Sequence, residues 1–130
     1  MHKRISQQGD YGHMGEAINL VNKFKVEKVI FCCGTYNDLE KELINKYNLT
    51  DIDVLKVGHH GSKTSTYKEF INEINPRYSI ISVGKKNRYG HPNKKVLNNL
   101  NKSKIYRTDQ DGSIMFRIKN NKLKIETCSP

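Results

Sequence analysis

The chain has 130 residues, 35% of them hydrophobic, with 23 Lys and Arg against 13 Asp and Glu for a formal charge of +10. That length suits one domain with a single modest core. No apolar run approaches the ~20 residues that span a bilayer, and the opening Met1-His2-Lys3-Arg4-Ile5-Ser6 has no apolar stretch of the kind a secretory leader needs, so neither a membrane span nor a leader is expected.

Ala17, Leu20, Val21 and Phe24 fall at i, i+3, i+4 and i+7, which predicts an amphipathic helix over residues 14–24. Lys28 to Cys33 is short and rich in β-branched and aromatic residues, hence a strand. Thr35 or Asn37 can cap a second helix, on which Leu39, Leu43, Ile44 and Tyr47 share a face. A strand from Asp51 to Val57 stops at Gly58-His59-His60-Gly61-Ser62. Thr66 is expected to cap a short helix carrying Phe70, Ile71 and Ile74, which Pro76 ends. Tyr78 to Val83 is the most apolar strand and leads into a polar loop, Gly84 to His91. Pro92 suits a first helical turn, with Val96, Leu97 and Leu100 facing inward. Lys104 to Arg107 is a further strand. Ile114 to Ile118 and Leu123 to Thr127 flank Asn120-Asn121, a hairpin pattern in which the Asn pair accepts positive φ.

Strands alternating with helices, closed by a hairpin, predict a layered α/β domain over residues 1–130. In such sheets ligands gather at the carboxyl ends of the strands, which selects three loops: after Cys33, at His59 and after Val83. Three cysteines, Cys32, Cys33 and Cys128, have neither CxxC nor framework spacing and are read as free thiols in a reducing, cytoplasmic setting. Residues 1–51 hold seven basic and seven acidic side chains, whereas residues 52–130 hold sixteen and six. The cationic half suits a polyanion such as nucleic acid, or simply a lysine-rich solvated surface.

His59 and His60 lie between glycines that let a ligand approach the backbone, and Ser62, Lys63, Thr64 and Ser65 follow with hydroxyls and a cation suited to phosphoryl oxygens. Asn87-Arg88-Tyr89-Gly90-His91-Pro92 sets a cation, a phenol and an imidazole just before a predicted helix. Asp10 and His13, three residues apart, could share a Zn²⁺ or Mn²⁺ ion, although Asp10 also suits a helix cap. Arg107-Thr108-Asp109-Gln110-Asp111-Gly112 is a turn or part of the site.

Taken in order, Gly9-Asp10-Tyr11-Gly12-His13-Met14-Gly15, Leu55-Lys56-Val57-Gly58-His59-His60-Gly61-Ser62, Asn87-Arg88-Tyr89-Gly90-His91-Pro92 and Arg107-Thr108-Asp109-Gln110-Asp111-Gly112 resemble the metallo-β-lactamase-type domain of the ComEC competence proteins, from about Gln8 onward. The resemblance implies an αββα-type sandwich and a hydrolase in which a metal-bound hydroxide attacks a phosphodiester. Asp10, His13 and His60 would be metal ligands. His59 would contact the substrate or protonate the leaving group, with Ser62, Ser65 and His91 on the substrate side. The chain departs from the family pattern at Gln8 and Gly12, where a ligand His and Asp are expected, and it has no counterpart of the bridging Asp, since Asp38, Asp51 and Asp53 do not match it. The expectation is therefore a shortened, degenerate copy, missing part of the family's central segment, with at most one weakly held Zn or Mn and little or no hydrolysis. A basic nucleic-acid-binding module without catalysis is the alternative. Pairing of two copies over exposed sheet faces is a third possibility.

Overall fold

A computed structural model describes residues 29–31 and 37–129. The predicted helix over residues 14–24, the loop after Cys33, and the site residues Asp10 and His13 lie outside them. The elements in chain order are β1 (Val29–Phe31), α1 (Asn37–Lys46), β2 (Val54–Lys56), a 3₁₀ turn (Gly58–Gly61), α2 (Lys68–Ile74), β3 (Tyr78–Ile81), α3 (Lys94–Asn99), β4 (Lys104–Arg107), α4 (Thr108–Asp111), β5 (Ser113–Lys119) and β6 (Lys122–Cys128).

Strands β1 to β4 form one parallel sheet in the order β1-β2-β3-β4. Each step to the next strand runs through a crossover, and crossovers of one hand taken in one direction put the helices on one face. The core shows this arrangement: Leu43 of α1, Phe70, Ile71 and Ile74 of α2, and Val96 of α3 pack with Leu55, Val57, Ile81 and Val83 from the strands and their extensions. Of these, Val57, Ile74 and Ile81 are fully buried. Period-2 alternation directs Val54, Lys56, Tyr78, Ile80 and Tyr106 to the opposite face. β5 and β6 form a separate antiparallel hairpin. Asn120 and Asn121, at φ 51° and 57°, make its two-residue turn, the geometry that matches strand twist.

Several local expectations are corrected. Thr66 does not cap α2; it is buried at φ 63°, the N-cap position is Tyr67, and the segment leading into the helix is held from another helix. The Glu40 carboxylate of α1 accepts the Thr66 N–H at 2.6 Å and the Tyr67 N–H at 2.9 Å. A carboxylate suits the partial positive charge of a helix start, so one side chain joins two helices. Pro92 precedes α3 rather than opening it, and Asn93 is the cap, its Oδ1 accepting the Lys95 N–H at 3.0 Å. Strand β3 ends at Ile81, two residues early. The polar run before β2 is not strand; Asp51 is left-handed at φ 51° and its carboxylate accepts from the Asn75 amide. Among the described residues no helix is long and apolar enough to cross a membrane.

Candidate functional site

Because all four strands run parallel, their carboxyl ends share one edge, and the loops after β2, β3 and β4 meet there. The first loop is the 3₁₀ turn. His59 (φ 44°, ψ 45°) and His60 (φ 54°, ψ 20°) are both left-handed. For residues with a Cβ this costs about 1–2 kcal/mol each, and such conformations persist only where the surroundings hold them. Four contacts do so. The buried Ser65 hydroxyl lies 3.1 Å from the Gly58 carbonyl oxygen and 3.0 Å from that of Ser62. The Ser62 N–H donates to the His59 carbonyl at 2.9 Å. The His60 ring reaches across to the next strand, with Nδ1 2.6 Å from the Ser82 carbonyl oxygen.

A carbonyl can only accept, so His60 Nδ1 carries a proton, and in the neutral ring Nε2 is then the nitrogen with the lone pair. This is the tautomer a metal-ligating histidine uses.

The second loop is locked to the first at Gly61. Its carbonyl accepts the Asn93 N–H at 2.8 Å, and a Cβ at Gly61 would stand 2.6 Å from Cβ of Pro92. Only glycine allows that approach at φ 78°. Within the second loop Asn87 acts as a brace: its Oδ1 accepts the His91 N–H at 2.8 Å, and its Nδ2 donates to the carbonyls of His91 at 2.8 Å and Gly84 at 3.2 Å.

These constraints bring three imidazoles together. The ring centroid of His59 is 6.3 Å from that of His60 and 5.8 Å from that of His91, and Tyr89 stacks on His91 at 5.9 Å with 22° between planes. Partial burial lowers the His91 pKa below its ordinary value, and repulsion from His59 and His60 adds to the effect. Lys63, Lys85, Lys86, Arg88, Lys94 and Lys95 are exposed on the same loops and the start of α3.

The third loop, after β4, is also tied in, which the sequence reading left open. The Thr108 hydroxyl accepts the Val83 N–H at 2.8 Å and lies 2.9 Å from the Val83 carbonyl oxygen, so it anchors the residue next to Ser82, whose carbonyl holds His60. The Asp111 carboxylate accepts the Arg107 N–H at 2.7 Å. Asp109 pairs with the Arg107 guanidinium at 2.6 Å, which lowers its pKa. Both acidic side chains of this loop are therefore engaged locally. Thr108 gave no signal in the sequence beyond its place in a turn motif, because its role depends on register with β3.

Of the predicted site residues, His59, His60 and His91 converge. Lys63, Arg88 and Tyr89 project from the loops that carry them. Ser62 and Ser65 are buried inside the first turn, and Asn87 is occupied in its own loop. The described residues include no group of three or more His, Cys, Asp or Glu side chains placed to hold an ion. Asp10 and His13, expected to join His60 as metal ligands, lie outside the described residues.

The chain is similar to three competence and recombination proteins. It is 52% identical to ComE operon protein 3 of Bacillus subtilis over 83 residues, 62% of this chain and 11% of that protein. It is 41% identical to competence protein ComA of Neisseria gonorrhoeae over 81 residues, 59% of this chain and 12% of that protein. To recombination protein 2 of Haemophilus influenzae it is 35% identical over 91 residues, 68% of this chain and 12% of that protein. Kinship with competence proteins of the ComEC type is supported, for a segment that spans about an eighth or less of those proteins' length. No family model and no solved structure matches the chain.

Proposed function

We propose that this chain is a phosphodiester-binding segment of a metallo-β-lactamase-like, ComEC-type protein, with a role in DNA-uptake competence and little or no hydrolysis of its own. Nucleic-acid phosphates would lie along the edge where the loops after β2, β3 and β4 meet. The observation that carries this reading is the convergence of His59, His60 and His91 amid exposed lysines and arginines, while the nearby carboxylates of Asp109 and Asp111 are already bonded to Arg107. A surface of one sign attracts a polyanion and releases its counterions.

Binding of a labelled DNA oligomer, followed by fluorescence anisotropy, is expected to weaken steeply as salt rises and to ignore EDTA. Reversing Lys85, Lys86 and Arg88 to Glu should flatten the salt dependence by about two to three counterions. No binding at low salt would overturn the reading.

One observation favours hydrolysis as a second reading: the Nδ1–H of His60 fixed on the Ser82 carbonyl leaves Nε2 for an ion. Robust Mn²⁺-dependent turnover of bis(p-nitrophenyl) phosphate, abolished by His60→Ala, would establish it in place of the first.

A further inference from the structure

Tyr89 is 84% exposed, against 55% for Met115, the other exposed large hydrophobic side chain among the described residues. Such exposure commonly reflects a loose loop tip, but this loop is braced. The Asn87 amide bonds both backbone groups of His91, and the Asn87 N–H adds a bond to the Gly84 carbonyl at 3.1 Å. Gly90, at φ 67° with open space around it, lets the chain turn between Tyr89 and His91 so that the two rings stack. The phenol ring lies near-parallel to the imidazole and offset from it, 5.9 Å between centroids, so nearly all of its surface still meets solvent. Residues 84–91 include Lys85, Lys86 and Arg88 and no acidic side chain. A rigidly presented aromatic face flanked by cations is what an unpaired nucleotide needs, a surface for the base and counter-charge for its phosphates. A duplex keeps its bases stacked on each other and offers no free face along its length.

We infer that Tyr89 is a stacking platform for a nucleobase, so that the imidazole-rich edge takes single-stranded nucleic acid in preference to duplex. The inference rests on the nucleic-acid reading above and adds the form of the ligand.

The test uses the full chain with three labelled probes at one salt concentration: an oligothymidylate, an abasic oligomer of the same length and charge, and a duplex. The wild-type chain is expected to bind the oligothymidylate most tightly. Tyr89→Leu, which keeps apolar bulk without a π face, should lose about 5- to 100-fold on the oligothymidylate and little on the other two probes. Tyr89→Phe should retain wild-type affinity. Since the side chain is solvated, neither variant threatens folding, and the unchanged duplex affinity serves as the folding control. Wild-type binding that is equal for oligothymidylate and abasic oligomer, or a Tyr89→Leu loss equal on all three probes, would overturn the Tyr89 assignment while leaving the electrostatic reading in place. In that case Lys85→Glu with Lys86→Glu would still weaken every probe. Failure of the wild-type chain to bind any probe would remove both.

Discussion

At the scale of single residues, the site is held by backbone conformations that side chains ordinarily avoid. His59 and His60 are left-handed in succession, and Gly61 at φ 78° closes the turn against Pro92. Gly61→Ala would combine the positive-φ penalty of about 1–2 kcal/mol with overpacking against Pro92 of about 1–3 kcal/mol. A loss of about 2–5 kcal/mol in urea unfolding is expected, together with weaker DNA binding, because the same contact joins the two imidazole-bearing loops. Asp109 supplies a pH signature. Its pKa is depressed by Arg107, so its contribution to stability is present above the ordinary value of 3.8 and is lost as pH falls through the lower folded value. Melting curves from pH 5 downward should show a smaller acid-induced decline in Asp109→Asn than in the wild-type chain.

At the scale of elements, Glu40 joins α1 to α2 through two backbone N–H groups, one belonging to the buried Thr66. Glu40→Ala leaves both donors without that acceptor, at about 1–3 kcal/mol for each one that water cannot reach. An expected loss of about 2–4 kcal/mol can be read from the denaturation midpoint, with Glu40→Gln intermediate because one acceptor oxygen remains. Burial raises the Glu40 pKa, so its linkage has the opposite sign to that of Asp109: the contribution is full below pH 4.5 and shrinks as pH rises through the folded value.

Glu40 also marks where the sequence stops being legible. Elements with local periodicity were readable: Leu43 and Ile44 identify α1, Phe70, Ile71 and Ile74 identify α2, and Asn120-Asn121 gives the hairpin turn. Caps are usually local, which points to Thr66 for α2, whereas the Thr66 N–H itself is held by Glu40, 26 residues away. The site followed the same division. Glycines and histidines at the ends of strands pointed to the edge, while the clamps supplied by Ser82 and Thr108 depend on which strands are neighbours.

At the scale of the whole molecule, the parallel sheet and the hairpin differ in how they are supported. The sheet has a helix-covered face with fully buried Val57, Ile74 and Ile81. The hairpin shares no ladder with it, and its inward-alternating residues Ile114, Phe116, Ile118, Leu123 and Ile125 are only half-buried. A two-stranded ribbon is marginal alone. Native-state hydrogen exchange should therefore show amides of β5 and β6 opening at lower free energy than those of β2 and β3. Equal protection of both sets would show that the hairpin belongs to the same cooperative unit.

The strand order has a consequence for how the chain acquires its shape. Since β1, β2, β3 and β4 lie side by side in the order in which a ribosome would deliver them, each of these strands after the first meets a neighbour already made, and among the described strands none has to wait for a later one to be inserted beside it. Domains that lay their strands out this way can grow from one edge as they emerge, with modest chain-closure entropy at every addition.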